Sequence, residues 1–160
     1  MTISKGDPIP ETTLMRMGVE GPEPVKAGEY FAGRKVALFA VPGAFTPTCS
    51  AKHLPGFVEH ADSLKAKGVD AIACVSVNDV FVMDAWGRSV GVDGKVDMLA
   101  DGNGAFAEAL GLEMDASGFG MGRRSQRYSM IVEDGTVAEV NVEGPGEFRV
   151  SSADYMLEQL

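Results

Sequence analysis

The chain has only two cysteines and one tryptophan in 160 residues, and it contains no C-x-x-C pair. Two cysteines without paired spacing exclude a disulfide framework and make a reducing cytoplasm the expected location. The missing C-x-x-C argues against a plain dithiol–disulfide carrier, since Thr46 stands where its first cysteine would be. Basic residues are scarce. The 14 Lys and Arg face 23 Asp and Glu, a net charge of −9, which argues against nucleic acid and anionic membrane surfaces as partners. No apolar run approaches a membrane span. The segment Met1-Thr2-Ile3-Ser4-Lys5-Gly6-Asp7-Pro8 lacks the apolar core of a signal peptide. There is no internal repeat or low-complexity tract, and no metal or cofactor is expected.

What is present suits one domain over residues 1–160 with a real core. Its centre is Val36-Ala37-Leu38-Phe39-Ala40-Val41-Pro42-Gly43-Ala44-Phe45-Thr46-Pro47-Thr48-Cys49-Ser50. The apolar run is short, ends at Pro42-Gly43 and reads as a buried strand. Thr46 is a good N-cap and Pro47 suits the first helical position, which puts Cys49 third in the helix. Unpaired amides and the positive end of the helix dipole favour a thiolate there. The Thr46 hydroxyl is expected to cap the amides beside the sulfur. A free cysteine is more often a small buried hydrophobe, but the strand–turn–helix placement favours a reactive one. Cys74, inside the apolar run Ala71-Ile72-Ala73-Cys74-Val75, reads as a structural core thiol.

Along the chain, Glu11–Arg16 reads as an edge strand and 18–28, with Pro22 and Pro24, as loop. Lys35–Val41 and Val69–Val77 read as buried strands. The helix from Pro47 runs to about Lys67, with Gly68 as its stop and a kink or break at Pro55-Gly56. Asn78 or Asp79 caps a helix to Val90, Val96–Ala100 is a short strand, and Asn103 can cap a helix over Gly104–Leu110. Arg127–Glu133 and Thr136–Val142 flank Asp134-Gly135, a strong hairpin signal. Ser152 caps a last helix to Leu160. His53 and His60 read as helix-surface residues, and Arg123 and Arg124 as an exposed rim after a Gly-rich loop. Strands alternating with helices, then a hairpin and a helix, indicate an α/β fold on a mixed sheet, with function at the carboxyl ends of strands.

The segment Pro42-Gly43-Ala44-Phe45-Thr46-Pro47-Thr48-Cys49-Ser50 resembles the active-site signature of peroxiredoxins, in particular the peroxiredoxin 5-like (type II) subfamily. Val75-Ser76-Val77-Asn78-Asp79, Arg127-Tyr128-Ser129-Met130 and the stretch from Gly6-Asp7 to Leu14-Met15 are similar to it as well, so the likeness covers nearly the whole chain. The resemblance implies a thioredoxin-like fold, a central mixed β-sheet flanked by helices, and a peroxidatic Cys49 that reduces hydroperoxides. It carries active-site positions onto Pro42, Thr46, Cys49 and Arg127. It also implies dimers meeting near the site, and Trp86 or Phe81 of the largely apolar helix 79–90 is expected at or near that interface. Some relatives carry a resolving cysteine where this chain has Ser151. That serine points to a one-cysteine cycle with an external thiol such as glutathione with glutaredoxin, or thioredoxin.

The chemistry accounts for those residue types. A thiolate attacks the terminal oxygen of R–O–O–H and becomes a sulfenic acid. Donors near both oxygens stabilise the breaking bond, and the Cys49 amide, the Thr46 hydroxyl and the Arg127 guanidinium are the candidates. Pro42 offers no N–H and can keep water from the sulfur. A solvated Arg127 and a Thr46 that only caps are the plainer readings. A non-catalytic, redox-gated binding module or holdase on the same scaffold is the alternative function.

Overall fold

The computed structural model describes residues 1–160. In chain order its elements are β1 (Thr13–Gly18), β2 (Gly21–Lys26), α1 (Ala27–Phe31) and β3 (Lys35–Ala40). A π-helical turn (Cys49–His53) then runs into α2 (Leu54–Glu59) and α3 (Ala61–Ala66). Next come β4 (Ala71–Ser76), α4 (Val80–Val90), β5 (Asp97–Ala100), α5 (Ala105–Leu110) and β6 (Glu113–Asp115). A 3₁₀ turn (Ser117–Phe119), β7 (Arg123–Ser125), β8 (Tyr128–Glu133), β9 (Thr136–Val142) and α6 (Ala153–Gln159) complete the chain.

Seven strands form one mixed sheet in the order β2-β1-β5-β4-β3-β8-β9, and β6 pairs with β7 separately. The inner strands β3, β4 and β5 are parallel, while β8 runs antiparallel to β3. Side chains alternate across a strand. Val36, Leu38 and Ala40 therefore enter one core layer with Leu14, Phe31 and Phe106. Ala37, Phe39 and Val41 enter the other, with Cys49, Leu54, Phe57 and Trp86. Helices cover both faces, so the central strands are apolar on both sides, as the unbroken run Val36–Val41 requires.

Several expected elements appear with shifted ends. Others differ for identifiable reasons. The stretch with Pro22 and Pro24 is the edge strand β2, not a loop, paired with β1 through Met15↔Pro24 and Met17↔Pro22. An outermost strand needs only one ladder, so missing N–H groups are tolerated there. Ala27–Phe31 is a short helix that Gly28 had hidden, and β6 pairs with β7 in a small hairpin that encloses the Gly-rich loop. Asp101, not Asn103, caps α5: its carboxylate accepts from the Phe106 and Ala107 amides at 3.0 and 2.9 Å. Asp79 and Ser152 cap α4 and α6 as expected. At Asp134-Gly135 both residues have positive φ, 46° and 77°, as a two-residue hairpin turn of the favoured twist demands.

The Cys49 helix departs most from expectation. It does not break at Pro55-Gly56. The Leu54 N–H bonds the Cys49 carbonyl, a π-type turn that accommodates the missing N–H and the ring of Pro55. The break comes at His60, and α3 follows. Trp86 is fully buried under its own chain, which leaves its side chain no free surface, whereas Phe81 remains 63% exposed. No helix is long and apolar enough to cross a membrane.

Candidate active site

The loop after β3 presents the cysteine. Ala44 N–H donates to Asn78 Oδ1 at 3.0 Å, and Ser76 Oγ, with one hydrogen to give, lies 2.6 Å from Asn78 Oδ1 and 3.1 Å from the Val41 carbonyl. The end of β4 thereby fixes the turn after β3. Phe45 sits at φ +65°, a left-handed conformation that costs a non-glycine residue about 1 kcal/mol or more. A Cβ at Gly43 would come within 3.0 Å of Met121 Cε and 3.2 Å of Thr46 Cγ2, so a side chain there would push both aside by a few tenths of an ångström.

The Ser50 amide makes the first helical bond, to the Thr46 carbonyl at 2.9 Å, which confirms Thr46 at the N-cap. The capping bond expected of its hydroxyl is absent. Thr46 Oγ1 instead donates to the Gly43 carbonyl at 2.7 Å. With its proton committed there, that oxygen keeps lone pairs that can accept from a hydroperoxide O–H.

Cys49 is fully buried, and Pro42, Thr46 and Arg127 separate it from a cleft of about 700 Å³ that they help to line. Arg127, just ahead of β8, donates through Nη2 to Cys49 Sγ at 3.0 Å. A guanidinium donating directly to the sulfur is a contact that a merely solvated arginine does not make. Three of the four residues expected at the site thus line one cleft, and Cys49 joins them through Arg127.

His53 was not expected there. It is buried, not on the helix surface, and packs at a tilt against the rings of Phe39, Phe57 and Phe148. Its Nδ1 lies 2.8 Å from Arg127 Nη1, and its Nε2 lies 2.8 Å from the Ser151 carbonyl. Arginine only donates, so Nδ1 accepts and the proton resides on Nε2. Burial, followed by the Arg127 charge, holds the imidazole down to about 3, so it is neutral. The network continues to Glu143, whose carboxylate accepts from the Arg149, Val150 and Ser151 amides and from Ser151 Oγ at 2.6 Å. Burial works against that carboxylate, but these donors hold it below the usual glutamate range. Ser151, the position of the second cysteine in some relatives, is therefore a fully buried part of the same network.

The other expectations divide. Cys74 is fully buried in β4, and burial pushes its thiol well above its usual range, with Cys49 adding to the rise and Arg127 opposing it. His60 pairs with Asp154 at 3.0 Å and is partly exposed. Arg123 is exposed and pairs with Glu113, whereas Arg124 turns inward to the Met121 and Val77 carbonyls. No group of three or more His, Cys, Asp or Glu side chains is placed to hold a metal ion.

A mixed sheet of thioredoxin-like order, with an arginine-bound thiol at a strand-to-helix turn, defines a thiol redox protein. Residues 4–157 match the Redoxin family model. The chain is 54% identical to peroxiredoxin-2E-2, chloroplastic, of Oryza sativa subsp. japonica, over 99% of this chain and 73% of that one. It is 48% identical to peroxiredoxin-2B of Arabidopsis thaliana, over 99% and 98%. Reduced Prx3 of Vibrio vulnificus in complex with H2O2 superposes with a TM-score of 0.96 at 54% identity, covering 99% of each chain. The 1-Cys peroxiredoxin of Plasmodium falciparum superposes at 0.92 with 30% identity, covering 98% of each. The chain belongs to the peroxiredoxins, the thiol-dependent peroxidases of the Redoxin family. That places it among oxidoreductases and not among non-catalytic binding modules.

Proposed function

We propose that Cys49 is the peroxidatic residue and that it reduces hydrogen peroxide and organic hydroperoxides in a one-cysteine cycle. The observation that carries this is the 3.0 Å bond from Arg127 Nη2 to Cys49 Sγ. The thiolate attacks the terminal oxygen of R–O–O–H. An S–O bond forms, the O–O bond breaks, and sulfenic acid and alkoxide result; the alkoxide takes a proton and leaves as alcohol or water. Arg127 and the Cys49 amide stabilise the charge passing to the oxygens, Thr46 accepts from the hydroperoxide O–H, and Pro42 keeps the sulfur dry.

An external thiol then condenses with the sulfenic acid, releasing water and leaving a mixed disulfide. A second thiol exchanges with that disulfide and returns Cys49 to the thiolate. Glutathione with glutaredoxin, or thioredoxin, is the proposed reductant. The serine at position 151 and the buried Cys74 support this reading. We further propose a homodimer that works in the cytoplasm; the exposed Phe45 and Phe81, 52% and 63% accessible, support the assembly.

Consumption of peroxide in the presence of thiol tests the assignment. Cys49→Ser should abolish turnover and Cys74→Ser should leave most of it. Equal losses in both variants would refute a single nucleophile.

A further inference from the structure

Hydrogen peroxide is little larger than water, which takes up roughly 30 Å³ of liquid. The cleft lined by Pro42, Thr46 and Arg127 beside Cys49 offers about 700 Å³, far more than that substrate needs and within the usual range for whole organic ligands. Its walls have two distinct characters. Met114, Ala116, Phe119, Met121 and Pro145 supply apolar contacts, and Phe119 is 87% exposed at the mouth. The ionisable lining is Glu113, Asp115, Glu143 and Glu147, against Arg127 alone.

Arg127 carries one positive charge against those four carboxylates, and it is directed at Cys49 Sγ. Three further arginines lie outside the lining, and one of them, Arg124, is turned inward to the Met121 and Val77 carbonyls and leaves the carboxylates in excess. Arg123 pairs with Glu113 at 3.3 Å and Arg149 with Glu147 at 3.1 Å, but both are about four-fifths exposed, where such pairs are screened by solvent. Asp115 and Glu143 accept hydrogen bonds from backbone amides, which favour their charged forms. The cleft is therefore apolar on its walls and negative in its field.

We propose that this cleft selects hydroperoxides by charge: it accepts uncharged alkyl and aryl hydroperoxides and turns away those that carry a carboxylate. The inference rests on the peroxidase reading of the same site. A neutral organic tail gains contact with the methionines, Phe119 and Pro145 while its O–O group meets Cys49 and Arg127. A carboxylate on that tail meets three or four like charges in a concave site, where fields are focused and encounter rates shift by about ten- to a thousandfold. Hydrogen peroxide, neutral and small, is indifferent to both features.

The test compares cumene hydroperoxide with its para-carboxylate, two substrates that share a reacting group and differ in tail charge. Rate constants for Cys49 oxidation are measured at low and at high ionic strength, with hydrogen peroxide alongside. At low salt the neutral compound should react about tenfold faster or more. The ratio should fall toward one as salt rises, and it should also fall in the double variant Asp115→Asn/Glu147→Gln, whose positions are exposed and outside the Arg127 network. Equal rates at low salt would overturn the proposal. So would a preference unmoved by salt and by the double variant, because shape would then set it. If neither these compounds nor hydrogen peroxide oxidise Cys49, the peroxidase reading itself fails.

Discussion

His53 determines where Arg127 points: its Nδ1 takes the Nη1 hydrogen at 2.8 Å, which leaves Nη2 to donate to Cys49. The imidazole is held in turn by the Ser151 carbonyl and by three aromatic rings. Removing one hydrogen bond to a charged group costs about 1.5–3 kcal/mol. His53→Phe should slow oxidation of Cys49 by roughly ten- to a hundredfold. His53→Gln, which keeps an acceptor, should recover part of that rate. Equal rates for Phe, Gln and His at position 53 would remove the imidazole from the mechanism.

The same imidazole makes stability depend on pH. Its folded value of about 3 lies below the ordinary 6.5, so on acidification the unfolded chain binds the proton first. Stability should fall as pH drops through about 6.5 and continue falling to about 3, by about 1.4 kcal/mol per unit and about 2 kcal/mol between pH 7 and pH 5. Arg127 and Glu143 are the charged groups that act on it, the first lowering and the second raising its affinity for the proton. Glu143, held low by its donors, contributes stability that is lost only at more acid pH, as its own carboxylate takes a proton. Denaturant melts of the wild type and His53→Phe at pH 7 and 5 check this, and the variant should show a shallower decline.

Resolution of the sulfenic acid is the third case. Ser151 cannot supply a thiol, and Cys74 is a fully buried strand residue whose thiol is pushed well above its usual range. Mass spectrometry after one equivalent of peroxide plus glutathione should find the adduct on Cys49 and little Cys49–Cys74 disulfide. A dominant intramolecular disulfide formed at a catalytic rate would make Cys74 the resolving residue.

Assembly gives the fourth. Phe81 lies on the outer side of α4, and Phe45 lies beside α4 with its ring 6.5 Å from that of Trp86. Phe81→Glu should weaken a dimer by at least about tenfold, since burying an unpaired charge is costly. Light scattering across a dilution series measures it. A wild-type monomer at micromolar concentration would contradict the dimer.

The parts of the fold legible in the sequence are those set by local chemistry. The run Val36–Val41, the Asp79 and Ser152 caps and the Asp134-Gly135 turn each carry their signal within a few residues. The Pro42, Thr46 and Cys49 positions belong to one such stretch, and Arg127 was reached only through the family likeness. What stayed hidden depends on distant partners. His53 read as a surface residue because the Ser151 carbonyl that receives its proton is 98 positions away. Pro22 and Pro24 suggested a loop because nothing local marks a strand as the outermost one. The hydroxyl of Thr46 took the Gly43 carbonyl in place of a cap, a choice set by the turn at Phe45 and not by residue type.

Trp86 donates its Nε1–H to Ser50 Oγ at 2.9 Å, one residue beyond the reactive sulfur, and it is the chain's only tryptophan. The indole is fully enclosed, yet its polar edge ends on the first turn of the Cys49 helix. Intrinsic emission from this protein therefore comes from a single site next to the chemistry, with no background from other indoles. Movement of that turn, when the sulfur gains an oxygen or a disulfide partner, alters the one hydrogen bond the fluorophore makes. The chain thus contains its own optical probe of the Cys49 segment, readable on the stopped-flow timescale without a label.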